Sequence, residues 1–229
     1  AKVGWSPNVM GMVLFGLVAS IALLGVERHV MRPIFEPRLF RLRHVKVSIA
    51  ILILSYVTFF GLLVAIPFFV TEDFAASARR AAEATMAIPI GLALVAPLSG
   101  ILRRRFGGRN LATTSSSLLA LAVTGIAVAP NGKVVAGLLI LVGCAIGVLN
   151  TTTNSSVMSN IAEVDRGLAS GTVNLARAAG SALGMALATS VVVVLQRNGA
   201  TSLRLAMGVL VVSAVAAIVV SVSGMPKDR

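Results

Sequence analysis

The sequence predicts an all-α integral membrane protein, a polytopic bundle of about seven transmembrane helices. Three observations predict it. Of the 229 residues, 57% are hydrophobic and only 12% charged, with a mean hydropathy of +0.94; a water-soluble domain exposes too much surface to carry that balance. The apolar residues also fall into seven continuous stretches, at about 8–26, 46–70, 84–102, 111–129, 134–156, 168–195 and 203–223. Each approaches or exceeds the roughly 20 helical residues that cross a hydrocarbon core about 30 Å thick. Third, the charges gather in the short connections between these stretches. Barrel strands would instead alternate in polarity over about 10 residues, and a helix satisfies its backbone polar groups internally, as lipid requires.

Composition excludes several functions. The net charge of +12 invites a nucleic-acid reading, but aromatics make up only 5% of the chain. A nucleic-acid surface spreads its cations over a solvated face, often beside stacking aromatics; here they sit between apolar runs, so no nucleic-acid partner is expected. Cys144 is the only cysteine, which rules out an internal disulfide and any Cys-x-x-Cys metal site. His29 and His44 lie in a basic loop, and no His-Glu-x-x-His occurs. No span carries paired acids or a Ser/His arrangement, so no catalytic residue, metal or cofactor is expected and the chain is not read as an enzyme. A seven-helix photoreceptor or receptor is the alternative that the helix number raises. A retinal protein needs a lysine inside a span, and Lys2, Lys46, Lys133 and Lys227 all lie outside them.

Taken in order, the first stretch, 8–26, is read as an accessory helix. It is followed by the basic loop 27–46, which contains Pro33 and Pro37 and is the one connection long enough to be a boundary. The expected division is therefore 1–45, a linker helix with its basic loop, and 46–229, a six-helix bundle. Residue 1 is Ala, no signal-peptide pattern follows it, and the helix number is odd, so the chain reads as part of something longer. Loop charge sets orientation. Arg28, Arg32, Arg38, Arg41, Arg43, Lys46, Arg103, Arg104, Arg105, Arg109, Arg166, Lys227 and Arg229 share one side, against Lys2, Arg79, Arg80, Lys133, Arg197 and Arg204 on the other. The richer side is expected to be cytoplasmic, with the C-terminus there.

The third stretch holds Pro89 and Pro97. Each removes one helical hydrogen bond, and both are candidate hinges or static bends. The connection that follows reads "GILRRRFGGRN" from Gly100 to Asn110. Gly107 and Gly108 supply unusual backbone angles for a tight turn, and arginines at helix ends can satisfy terminal carbonyls, hold phosphates or pair with acids. The fifth and sixth stretches carry small residues every fourth position, with Gly143, Gly147 and Thr151 on one and Ala176, Gly180, Gly184 and Ala188 on the other. Such faces let helix backbones approach closely. They are expected to pack against neighbours, and whether they meet each other is left open.

The most polar run inside a span is "NTTTNSS", 150–156. With Asn174 and Arg177 on the next helix, Asn150 and Asn154 are candidates for one polar lining at the cytoplasmic mouth, with interhelical hydrogen bonding as the plainer role. Arg177 lies either near midplane, at a cost of about 2.5–3.5 kcal/mol, or at the inner interface, where its long stem lets the head reach water. Residues 178–195 alone suffice to span, which favours the interface. All eight acids fall at helix ends or in loops, so the buried carboxylate that proton coupling requires is not visible.

The loop spacing resembles the GxLxDRxGRR motif of the major facilitator superfamily, which joins the second and third helices of each six-helix half. Gly100, Leu102, Arg105, Gly107 and Arg109 match; Arg104 stands where that motif has Asp, and Gly108 replaces a basic position. The departure is similar to the second, C-terminal copy and puts a charge-relay role in doubt. "IPFFV" around Pro67 and "MAIPIGLALVAPLSG" resemble the helix pair before that loop in fourteen-helix drug:proton antiporters. "GWSPNVMG" with "ERHVMRPIFEPRLFRLRH" is similar to their last linker helix, and "GLASGTVNLARAAGSALGMAL" to their penultimate one. The resemblance implies the C-terminal half of a multidrug efflux antiporter in a bacterial inner membrane. It further implies alternating access by rocking against an N-terminal half, export of lipophilic or cationic small molecules, and a proton gradient in place of any cofactor.

Overall fold

The computed structural model describes residues 43–73, 77–159, 166–197 and 204–224, together with positions 14, 18 and 25. The chain divides into two compact units, Ala1–Arg38 and Leu39–Arg229. In the first, Leu14, Val18 and Gly25 are helical; the rest of stretch 8–26 and the loop before Arg43, with the linker reading built on them, lie outside the described residues.

In the second unit the described residues form seven helices. They are α1 (Arg43–Asp73), α2 (Ala78–Thr85), α3 (Ala87–Phe106), α4 (Gly108–Ala127), α5 (Gly132–Met158), α6 (Arg166–Arg197) and α7 (Arg204–Gly224). Spans Val45–Thr71, Arg79–Phe106, Gly108–Ala127, Gly132–Met158 and Arg166–Val194 are long and apolar enough to cross a membrane, with Met207–Ser223 as a shorter apolar helix. The all-α, membrane-spanning architecture expected from the sequence is the one observed.

The third span is not one helix. Its leading part, α2, is a separate eight-residue amphipathic helix, and Met86 (φ −64°, ψ −14°) forms the turn into α3. Pro89 explains the break. It is the third residue of α3 and has no N–H to offer Thr85 O, four residues earlier, so one bond of the ladder is missing at this junction. Pro89 and Pro97 thus both lie within α3, as expected: Pro89 in its first turn, next to the bend at Met86, and Pro97 in the helix interior. The turn between α3 and α4 is a single residue. Gly107 has φ 76°, the only positive φ among the described glycines, and its N–H donates to Arg103 O at 3.0 Å. Gly108 is already the first residue of α4 and is buried, so the need for an unusual backbone angle falls on Gly107 alone.

α1 and α5 form the centre. α1 packs against α6, α7 and α5, while α5 packs against α3, α4 and α1, and α4 also lies on α7. Close backbone approach sets two of these pairs. A Cβ on Gly180 would lie 2.7 Å from Ile53 O and 2.8 Å from Tyr56 Cβ. One on Gly184 would run into Val57 O, so both glycines of α6 seat on α1. Gly143 and Gly147 seat on α3 instead: a Cβ on Gly143 would strike Ile88 O, and one on Gly147 would lie 2.6 Å from Val95 Cγ1. The two small-residue faces thus meet different partners and not each other. α3 reciprocates through Gly91, where a Cβ would strike Ile140 O.

α7 shows why the surface is a lipid surface. Met207, Leu210, Ala214, Ala217 and Ser221 are buried at alternating three- and four-residue spacing, a single helical stripe. Val209, Val212, Val215, Val219 and Val222 are exposed on the same helix; water would penalise so continuous an apolar face, and hydrocarbon does not. Hydroxyls tie the buried side across helices, with Thr58 Oγ1 2.8 Å from Ser213 Oγ and Thr113 Oγ1 2.9 Å from Ser221 Oγ.

A polar cavity between three helices

One arginine of the α3–α4 connection, Arg109, acts on a third helix, and Arg43 at the start of α1 joins it. The last carbonyls of α7 have no partners within that helix. Arg109 Nη2 donates to Val222 O at 3.0 Å, and Arg43 Nη2 donates to Ser223 O at 2.9 Å. A cation there also faces the negative end of the helix dipole. These bonds place the start of α1, the α3–α4 turn and the end of α7 at one end of the bundle. Of the other motif positions, Arg105 Cζ lies 5.8 Å from the Phe106 ring centroid, Arg104 is exposed and Leu102 half-buried. A Cβ on Gly100 would meet nothing within 4 Å, so no close approach within the described residues requires glycine there. Replacing Arg109 with Gln is expected to cost about 1 kcal/mol. It should also speed hydrogen exchange of the last turn of α7 while leaving α5 unchanged; equal protection in both proteins would remove the capping role.

Within the bundle the structure gathers the polar residues of the fifth and sixth stretches. Arg177 Nη2 donates to Asn150 Oδ1 at 2.9 Å, and Arg177 Nη1 donates to Asn174 Oδ1 at 3.1 Å. Asn150 Nδ2 in turn donates to Tyr56 Oη at 3.1 Å, so α1, α5 and α6 are bonded through side chains. Beside this chain lies a cavity of about 430 Å³, lined by Leu92 and Ala96 of α3, by Gly147, Asn150, Thr151, Asn154 and Ser155 of α5, and by Arg177 of α6. Arg177 is eleven residues beyond the start of α6, roughly 16 Å along its axis. The twenty residues from Ala178 to Arg197 remain, about 30 Å of helix.

Sequence reasoning did not single out Tyr56. Its signal was available: it is the only tyrosine, set in an otherwise apolar stretch, and a buried phenol hydroxyl seeks a partner. A larger cavity, about 800 Å³, lies at the opposite end and is lined in part by Arg80, Glu83, Asn131 and Lys133. Its charged residues are exposed, and Glu83 already accepts from Arg79 Nε at 2.9 Å. The smaller cavity is the better site, because its polar groups are ordered by bonds between helices. Among the described residues no group of His, Cys, Asp and Glu could hold a metal ion.

A bundle of membrane-spanning helices enclosing a partly polar cavity is the anatomy of a transport protein. The family model for the Major Facilitator Superfamily matches residues 1–185 and, in a second match, residues 48–228. The chain belongs to that superfamily and is a membrane transporter. No curated relative matches the sequence.

Proposed function

We propose that the chain is the C-terminal half of a fourteen-helix drug:proton antiporter, with residues 1–45 as a linker helix and basic loop and 46–229 as the six-helix half. In this reading it lies in a bacterial inner membrane with its C-terminus in the cytoplasm. It works by alternating access against an N-terminal half to export lipophilic or cationic small molecules. The observation that carries the reading is the cavity at Asn150, Asn154 and Arg177, in a bundle of this family, toward the end that bears the arginines of the α3–α4 turn. Asn174 steadies the arginine, and Pro89, at the bend between α2 and α3, is the better placed of the two hinge candidates.

Uneven burial supports a second half. In their most apolar windows α3 and α6 are 22% buried, against 56% for α1 and 50% for α4. α6 exposes Asn174, Ala178, Ala182, Thr189 and Ser190 beside Leu175, Leu183, Met185 and Leu187, a mixed surface whose small and polar residues suit a helix–helix contact. Coupling is assigned to the other half. Glu83 is the only carboxylate whose side chain is described, it lies outside the cavity, and proton coupling needs an acid whose environment changes between states.

Ethidium retention in cells tests this. The chain alone is expected to leave retention unchanged. Co-expression with a complementing six-helix half is expected to lower it in a way that a protonophore abolishes. Efflux by this chain alone would overturn the half-transporter reading.

A further inference from the structure

We infer that the cavity at Arg177 binds an anionic head group, and that the substrate class it selects is a lipophilic small molecule bearing a carboxylate. The inference deepens the transport reading and rests on it. Arginine has only donors and stays charged, so Oδ1 of Asn150 must face Arg177. That orientation forces Nδ2 of Asn150 toward Tyr56, whose oxygen then accepts. The Tyr56 hydroxyl proton is left to point elsewhere. Arg177 Nε is buried and has no hydrogen-bond partner. Arg177, which lines the cavity, thus keeps N–H hydrogens that none of these bonds uses, and they call for an acceptor.

Charge calls for the same occupant. Both acceptors on Arg177 are neutral amides, and a guanidinium held among helices favours a counter-charge. Among the described residues no carboxylate lies nearby. Glu83, the one carboxylate whose side chain is described, belongs to α2 and is held by Arg79. The cavity walls are mixed: Leu92, Ala96 and Gly147 supply an apolar part beside Thr151, Asn154 and Ser155. A volume of about 430 Å³ falls within the range of small-ligand sites. An apolar body with an anionic head fits these walls, so this cavity serves the lipophilic branch of the proposed substrates, and a permanent cation such as ethidium would bind outside it.

The single tyrosine gives a local probe. The full chain, labelled with 3-fluorotyrosine and held in phosphatidylcholine nanodiscs, is titrated with benzoate, benzyl alcohol and benzylamine while the ¹⁹F resonance of Tyr56 is followed. Benzoate is expected to shift the resonance saturably, and the neutral and cationic analogues are not. Arg177→Gln is expected to weaken benzoate binding about tenfold or more, and Arg177→Lys by less, since it keeps the charge without the planar fork. Lys also guards against a Gln variant that fails to fold. Equal shifts by all three probes, or unaltered binding in both variants, would overturn the inference. So would phosphatidylglycerol alone reproducing the shift and blocking benzoate, which would assign the anion to lipid. Benzoate binding without ethidium efflux would count against the antiporter reading only, and efflux without benzoate binding against this inference only.

Discussion

Replacing Gly143 with Val is expected to push α5 away from α3 and to destabilise the bundle by about 3 kcal/mol, the upper end of what overpacking costs. The obstacle is backbone, which cannot rotate aside as a side chain can. A Cβ at this position strikes Ile88 O and lies 3.0 Å from both Gly91 Cα and Leu92 N. Gly91 faces the reciprocal problem against Ile140 O and, at 3.0 Å, Cys144 N, so the two helices are locked at one separation from both sides. Gly137→Val on the same helix is the matched control, because a Cβ there meets nothing within 4 Å. Its effect should be confined to helix propensity, a few tenths of a kcal/mol. Cys144 reports the separation directly. It is the only cysteine, and its Sγ lies 3.4 Å from Gly91 O at the α3–α5 contact. Maleimide labelling should accelerate in the Gly143 variant and remain at the parent rate in the Gly137 variant. If both melt alike in detergent, the α3–α5 contact is looser than described.

Asn150→Leu carries the second large effect, a loss of about 2 kcal/mol. The change removes the acceptor of Arg177 Nη2 and the donor to Tyr56 Oη in one step, so bonds from α5 to both α6 and α1 go together. What makes the loss large is the guanidinium left with Asn174 as its one remaining partner among the described residues. Adding Arg177→Met removes that charge as well, and the double variant is expected to be more stable than Asn150→Leu alone. A coupling of about 1 kcal/mol or more between the two sites, read from unfolding midpoints of the four proteins, is the expected result for groups in direct contact. Strict additivity would mean that the Asn150–Arg177 bond contributes nothing to the fold.

Much of this architecture was legible in the sequence. The spans emerged from apolar length, and their ends fell within a few residues of α1 and α4 to α7. The element not foreseen was α2, an Ala-rich run with Arg79, Arg80 and Glu83 that precedes the apolar stretch beginning at 84. Its helix is amphipathic, with Ala81 and Ala84 buried and Arg79 and Glu83 exposed, a pattern that a search for continuous hydrophobicity passes over. The glycines of α5 and α6 announced close approach by spacing alone. Their partners were hidden, because any adjacent helix with a smooth face would satisfy the same spacing.

The candidate site divides the same way. Asn150, Asn154, Asn174 and Arg177 stood out because polar groups inside spans are expensive. Tyr56 did not, since a phenol in an apolar run reads equally well as core. The arginines of the α3–α4 turn were visible as helix-end cations, yet nothing local indicated that Arg109 and Arg43 reach Val222 and Ser223, more than a hundred residues away.

By itself, the sequence determined which segments span and which connections carry the positive charge. Both follow from the transfer of single residues between water and hydrocarbon, a property each segment has alone. Only the tertiary structure decided that Gly143 meets Ile88, that Gly180 meets Ile53 and that Asn150 turns its oxygen to Arg177. Those choices depend on how helices distant in sequence cross and where their carbonyls point, and no local composition specifies either.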